Sequence, residues 1–77
     1  MKRIALVTGV GKETGLGFAV AQTLARRGDR VWVAARTKAQ AKAMALAIGG
    51  DTVPLALDLV DPSAIAAATR AVQEREG

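Results

Sequence analysis

Short apolar runs alternate with longer mixed segments along the chain, and their lengths match those of strands and helices. The predicted strands that contain these runs are residues 2–8, 30–35 and 52–57, and in the first of them residues 4–7 are continuously apolar. A continuous run of this kind is typical of a strand in a parallel sheet whose two faces are both covered. The pattern therefore predicts three parallel strands.

The segment after the first strand has the spacing of a helix. Within residues 16–27, the apolar positions Leu16, Val20 and Leu24 recur every four residues, which places them on one helix face. Gly28 follows and is a typical helix stop.

Two further helices are predicted from their capping residues as well as from their spacing. Thr37 can cap a helix that ends at residues 49–50, and Asp61 followed by Pro62 opens the third helix. The apolar faces predicted for these two helices carry Ala41, Met44, Ala45 and Ile48 in the second and Ile65, Ala68 and Val72 in the third.

The predicted order of elements is βαβαβα, and the short connections favour right-handed crossovers between parallel strands. This is an α/β arrangement: a Rossmann-type half of a doubly wound parallel sheet with strand order 3-2-1. In the complete fold, the sheet and the helices on its two faces form a three-layer αβα arrangement. Pro54 lies in the third strand and cannot donate to a sheet ladder, which agrees with an edge position. We expect residues 1–77 to form the N-terminal dinucleotide-binding part of such a domain, without its catalytic part.

The amino-acid composition excludes several kinds of functional site. The 77 residues contain no Cys, His or Tyr, so a disulfide framework, a Cys-rich metal site and an imidazole base are excluded. No run approaches the roughly 20 apolar residues of a membrane helix, and the apolar run after the basic start is too short for a signal peptide. We expect no metal, no membrane contact and a cytoplasmic location.

Charge is unevenly distributed along the chain. Residues 1–42 carry nine Lys or Arg against two acidic residues, whereas residues 43–77 carry two against five. A basic first half indicates an anionic ligand there. Nucleic acid is disfavoured as that ligand, because the chain has neither clustered aromatic residues nor the pattern of a recognition helix.

A glycine-rich turn, residues 8–17, lies between the first strand and the first helix. Gly9 would let the chain turn off the strand, Gly15 would let backbone N–H groups approach a pyrophosphate, and Gly17 would let the helix pack closely. Leu16 would add a backbone N–H and an apolar wall at the helix N-terminus. A tight turn without a ligand is the structural alternative.

A phosphate-binding P-loop is a competing interpretation of the same turn. It fails because Leu6 stands where the upstream glycine is required and Glu13 stands where a Ser or Thr would bind magnesium.

The end of the second strand indicates which dinucleotide is bound. An NAD site places an Asp or Glu there for the ribose 2′-OH, but this chain has Ala35 followed by Arg36. A guanidinium can bind a 2′-phosphate bidentately, and Lys12 and Lys38 can add positive charge. The alternative is that Arg36 is a solvated residue before a helix.

Asp58 follows the third strand, at the sheet edge where ligands bind in open α/β folds. Its carboxylate could accept a hydrogen bond from the adenine amino group, with Leu59 supplying a backbone N–H. The alternative is that Asp58 only begins a turn before the third helix.

Taken together, these residues resemble the N-terminal cofactor-binding region of the short-chain dehydrogenase/reductase family. The resemblance implies an oxidoreductase that transfers hydride between a nicotinamide cofactor and a small carbonyl or alcohol substrate. NADP(H) is the favoured cofactor and NAD is less favoured. The complete protein is expected to be a homo-oligomer. The family's catalytic Tyr and Lys lie beyond the residues matched here, so we expect no catalytic residue and no activity from this chain alone. The motifs that carry the resemblance are Thr8, Gly9, Gly15 and Gly17, then Ala34, Ala35 and Arg36, then Asp58, Leu59, Asp61 and Pro62.

The spacing of the glycines departs from the usual family turn. Five residues separate Gly9 from Gly15, where three are usual, and this spacing resembles that of enoyl-acyl-carrier-protein reductases. An enoyl-thioester reductase and a non-catalytic truncated nucleotide-binding module are therefore the alternatives. The candidate cofactor-binding residues are Gly9, Lys12, Thr14, Gly15, Leu16, Gly17, Arg36, Asp58 and Leu59.

Overall fold

The computed structural model describes residues 3–11, 14–58 and 60–77 and has the six predicted elements in the predicted order. Residue 2 of the predicted first strand and the candidates Lys12 and Leu59 lie outside the described residues. The elements are β1 (Ile4–Val7), α1 (Leu16–Arg26), β2 (Arg30–Ala35), α2 (Lys38–Ile48), β3 (Thr52–Ala56) and α3 (Pro62–Glu76).

The three strands form one parallel sheet in the order β1-β2-β3. Ile4 of β1 pairs with Arg30 of β2, and Val33 of β2 pairs with Pro54 of β3. This arrangement confirms the Rossmann-type half sheet with strand order 3-2-1 and the edge position of the proline-containing strand.

The helices lie on both faces of the sheet. On one face, α1 and α2 pack over a core of buried residues, and on the other face α3 forms a smaller cluster with β2 and the end of β3. The larger core contains Val10, Phe18, Ala21, Val31, Val33 and Ala45, and the smaller contains Ala34, Leu57 and Ala68.

The predicted caps of α2 and α3 are confirmed. Thr37 Oγ1 accepts a hydrogen bond from the Gln40 N–H at 3.2 Å, and Asp61 Oδ1 accepts one from the Ser63 N–H at 2.9 Å. Each cap satisfies a backbone donor that the helix itself cannot pair.

The buried face of α1 agrees with the four-residue spacing only at Leu24, which packs against the larger core. Leu16 is 81% exposed and Val20 is 43% exposed, whereas Phe18 and Ala21 are buried. Phe18, Ala21 and Ala25 also have helical spacing, and they pack against the larger core, which leaves Leu16 and Val20 on the outer side. In this orientation Gly17 approaches the backbone of the glycine turn closely.

β1 is covered on one face only, contrary to the expectation from its continuous apolar run. Leu6 pairs with Trp32 and therefore lies on the face that carries α3, yet Leu6 is 44% exposed and Ile4 is 48% exposed. The α3 cluster is built from β2 and residues around β3, so α3 does not extend over β1.

The two edges of the sheet differ in how they are protected. On β3, Pro54 has no N–H to donate, and its carbonyl oxygen accepts a hydrogen bond from Lys38 Nζ at 3.3 Å. β1 contains neither proline nor a charged residue. The edge of β1 is therefore the one open to strand addition.

The C-terminal end of α3 is held at the start of β2, at the opposite end of the strands from the glycine turn. Arg30 forms ion pairs with Asp51 at 2.9 Å and with Glu76 at 2.7 Å, and Trp32 Nε1 donates a hydrogen bond to Glu76 Oε2. The hydrogen bond from Trp32, supported by the Arg30 guanidinium, lowers the pKa of Glu76 below its ordinary value of 4.5. Hydrogen bonds to Asp51 and Glu76 raise the pKa of Arg30.

Candidate cofactor-binding site

The glycine-rich turn leaves β1 through a backbone conformation that favours glycine. Gly9 has φ 71°, in the left-handed region that L side chains adopt at a cost. The chain then passes over β2, where Val10 is fully buried and donates its N–H to the Ala34 carbonyl oxygen at 3.0 Å. The turn is therefore anchored to the sheet by Val10, which sequence reasoning did not single out.

Gly17 joins α1 to this turn. A Cβ atom at residue 17 would lie 3.2 Å from the Thr8 carbonyl oxygen, 3.3 Å from that of Gly9 and 3.4 Å from Val10 Cγ2. Only a residue without a side chain allows the helix and the turn to approach this closely, which is the role expected of Gly17.

The N-terminus of α1 has no side-chain cap among the described residues. Its N-cap residue is Gly15, with φ −82° and ψ 161°, and no described side chain accepts a hydrogen bond from the first turn. The first-turn N–H groups and the positive end of the helix dipole are thus left for an anion. Thr14, which precedes the cap, is exposed, as is Leu16.

A cleft of about 440 Å³ lies beside the glycine turn, at the carboxyl ends of β2 and β3. This size falls in the range of small-molecule sites in proteins. The residues that line the cleft are Gly9, Gly11, Ala35, Arg36, Gln40, Leu57, Asp58 and Val60.

Arg36 is the positive charge of this cleft. It follows β2 directly, its side chain is exposed, and no carboxylate among the described residues forms an ion pair with it. The preceding Ala35 is only 2% exposed and brings no carboxylate to the strand end. The cleft therefore presents an unpaired guanidinium where an NAD site has an acid.

Asp58 has a structural role and also lines the cleft. Its Oδ1 accepts a hydrogen bond from the Val60 N–H at 3.0 Å, and its carbonyl oxygen accepts one from the Asp61 N–H at 3.1 Å. These bonds fix the turn between β3 and α3. Within the described part of the chain, the second carboxylate oxygen of Asp58 has no hydrogen-bond donor, so it is left for a ligand.

The structure brings part of the predicted set together. Gly9, Arg36 and Asp58 line the cleft, whereas Thr14 and Gly15 lie at the N-terminus of α1 with Leu16 and Gly17. Sequence reasoning missed four lining residues, of which Gln40 had a detectable signal because it stands three positions after the capping Thr37. The other three missed residues are Gly11, Leu57 and Val60.

These features fit a dinucleotide. The cleft has an apolar side at Leu57, a carboxylate at Asp58 for an amino group, and a guanidinium at Arg36 for an anion. The N-terminus of α1, whose first N–H groups are uncapped by described side chains, lies next to the glycine-rich turn and suits a pyrophosphate. The described residues contain no cluster of acidic side chains that could hold a metal ion.

A parallel half sheet with a glycine turn at its first βα connection is the architecture of a Rossmann-type fold. The chain matches the family model for short chain dehydrogenase over residues 3–77, and it belongs to that family. Family membership implies a nicotinamide cofactor.

Two curated relatives show similar levels of identity. An uncharacterised oxidoreductase of Caenorhabditis elegans is 39% identical over 79 residues, which cover 97% of this chain and 25% of the relative. Galactitol 2-dehydrogenase of Agrobacterium fabrum is 39% identical over 75 residues, which cover 97% of this chain and 28% of the relative. The chain thus spans about a quarter of the length of these relatives. No helix in the described part of the chain is long and apolar enough to cross a membrane.

Proposed function

We propose that this chain is the NADP(H)-binding N-terminal part of an oxidoreductase that transfers hydride between the nicotinamide and a carbonyl or alcohol substrate. In this proposal the first turn of α1, from Gly15 to Gly17, binds the pyrophosphate. Arg36 binds the 2′-phosphate, and Asp58 accepts a hydrogen bond from the adenine amino group.

The observation that carries the choice of NADP(H) is the pair of residues at the end of β2. Arg36 lines the cleft without an ion pair to any described carboxylate, and Ala35 stands where a carboxylate would bind a free 2′-OH and repel a 2′-phosphate. An unpaired guanidinium at this position supports an anionic ligand group, because Arg binds phosphate oxygens through two parallel hydrogen bonds.

The substrate class is supported by one relative. The name of the Agrobacterium fabrum relative describes dehydrogenation of a polyol at a secondary hydroxyl, which favours a carbonyl or alcohol substrate for the parent enzyme. This chain has no Tyr for the proton transfer that accompanies hydride transfer, so the chain alone is expected to bind cofactor without turnover.

An enoyl-thioester reductase is the second candidate, supported by the five residues between Gly9 and Gly15. The two candidates share the cofactor site and differ in the bond reduced. Assaying the longer parent protein with a ketone and with an enoyl thioester, each in the presence of NADPH, separates them.

The cofactor proposal is tested by titrating the 77-residue chain with 2′-phospho-ADP-ribose and with ADP-ribose. We expect the phosphorylated ligand to bind more tightly, and Arg36→Asp to remove this preference. Losing a charge-assisted hydrogen bond costs about 1.5–3 kcal/mol, so the preference should fall roughly 10- to 100-fold.

Arg70→Asp is the matched control, because Arg70 is an exposed residue of α3 that undergoes the same change of charge outside the cleft. Equal affinity of the wild-type chain for the two ligands would contradict the NADP(H) assignment. An Arg36→Asp variant that keeps the preference, or an Arg70→Asp variant that loses it to the same extent, would also contradict it.

A further inference from the structure

Gln40 lines the same cleft as Arg36 but has no role in the site as proposed so far. It lies in the first turn of α2, three residues after the N-cap Thr37, and its side chain is exposed. Its amide is therefore accessible to a ligand that occupies the cleft.

Thr37 fixes which end of the Gln40 amide faces that ligand. Thr37 Oγ1 accepts a hydrogen bond from the Gln40 backbone N–H at 3.2 Å, so the single hydroxyl proton is left to donate elsewhere. It donates to Gln40 Oε1 at 3.4 Å. With its oxygen held by Thr37, the amide presents Nε2, which carries two donors, and within the described chain no residue accepts from it.

We propose that Gln40 is a specificity-determining residue, whose Nε2 donates a hydrogen bond to the 2′-phosphate of the dinucleotide beside Arg36. This proposal rests on the NADP(H) function proposed above. A hydrogen bond to an ionised acceptor is about twice as strong as one to a neutral acceptor, so the amide favours the phosphorylated ribose over a ribose with a free 2′-OH.

Two substitutions separate the donor role of Gln40 from its role in the helix. Gln40→Ala removes the amide. Gln40→Glu replaces the two donors by a carboxylate but keeps an acceptor at the third position of α2, where Thr37 and an acid form a capping box. The acid also suits the positive end of the α2 dipole, so this variant is expected to fold.

Lys42→Gln is the matched control for net charge. It changes the charge of α2 by the same amount as Gln40→Glu, and Lys42 is exposed and does not line the cleft. Far-ultraviolet circular dichroism of all variants checks that helix content is unchanged.

The measured quantity is the ratio of the dissociation constants for ADP-ribose and 2′-phospho-ADP-ribose at constant ionic strength. We expect Gln40→Ala to lower the wild-type preference for the phosphorylated ligand about fivefold to tenfold, and Gln40→Glu to lower it by about tenfold or more. Lys42→Gln should change the ratio by less than about twofold, because solvent screens an exposed charge outside the cleft.

Three results would overturn the role of Gln40. The first is an unchanged ratio in both Gln40 variants of a chain that prefers the phosphorylated ligand, and this result leaves the NADP(H) function intact. The second is an equal loss of affinity for both ligands, which would place Gln40 at the shared adenosine part. The third is an equal effect of Lys42→Gln and Gln40→Glu with Gln40→Ala unchanged. If the wild-type chain shows no preference, the proposed function fails together with this inference.

Discussion

The close contact of α1 with the glycine turn predicts that Gly17→Ala destabilises the chain. The new Cβ would lie 3.2 and 3.3 Å from the carbonyl oxygens of Thr8 and Gly9 and 3.4 Å from Val10 Cγ2. Favourable contacts between carbon atoms lie at about 3.5–4.0 Å, so the turn and the helix must separate by a few tenths of an ångström. The backbone oxygens cannot rotate away as a flexible side chain would.

The magnitude follows from two opposing effects. Overpacking of this kind costs about 1–3 kcal/mol, and the better helix propensity of Ala offsets at most about 1 kcal/mol. We expect a net loss of about 1 kcal/mol in the free energy of unfolding, which for a chain of this size lowers Tm by about 4–8 °C. Thermal unfolding followed by circular dichroism measures this shift.

Two other glycines provide matched controls for this substitution. Gly11 does not have a positive φ, and a Cβ added there would have no atom of the described residues within 4 Å, so Gly11→Ala should stabilise the chain by about 0.4–1 kcal/mol through the unfolded state. Gly28 has φ 92° and open space around an added Cβ, so Gly28→Ala should cost about 1–2 kcal/mol from backbone strain alone. If Gly17→Ala stabilises the chain as Gly11→Ala does, the close-contact argument is wrong.

Three further predictions concern stability and association. Asp61→Ala removes the hydrogen bond to the Ser63 N–H and should lower the free energy of unfolding by about 0.5–2 kcal/mol in urea titrations, whereas Asp61→Asn should cost much less. The pKa of Glu76 is depressed, so its stabilising contribution is complete above its ordinary value of 4.5 and is lost as pH falls through the lower folded value. Fluorescence of Trp32, the single Trp, should report this loss, and an unchanged titration in Glu76→Gln would contradict it. The wild-type chain should self-associate through β1, and Leu6→Lys should reduce its mass in sedimentation without unfolding it; a monomeric wild type would refute this.

The six elements could be predicted because their signals are local. Thr37 and Asp61 cap their helices through residues two or three positions away, and the strand lengths follow from short apolar runs. Pro54 indicated the edge strand because a missing N–H excludes a central position. The turn after β1 could also be predicted from the sequence, because the positive φ of Gly9 is a conformation that favours glycine itself.

The features that sequence reasoning missed depend on contacts between distant segments. The apolar residues of α1 fit two helix faces. The face of Phe18, Ala21 and Ala25 packs against the core, and the spacing alone does not select it over the face of Leu16 and Val20. The exposure of Leu6 depends on how far α3 reaches across the sheet. Gln40 and the turn after β3 lie almost 20 residues apart in the sequence, and only the folded chain brings them to the same cleft.

From the sequence and its family resemblance we predict a preference for NADP over NAD and a role for each candidate residue. A cytoplasmic location and a homo-oligomeric complete protein are predictions of the same kind. The titrations with Arg36 and Gln40 variants test the first two of these directly.

Because only the β1 edge of the sheet is unprotected, a further strand can join the sheet only beside β1. A parallel strand added beside β1 would end next to the glycine turn, on the side away from the cleft of Arg36 and Asp58. If the longer protein proposed above extends the sheet, we expect the residues that act in hydride transfer to come from that side. Leu6→Lys would protect β1 against self-association, but in such a longer protein the same substitution would also disfavour a neighbouring strand at β1.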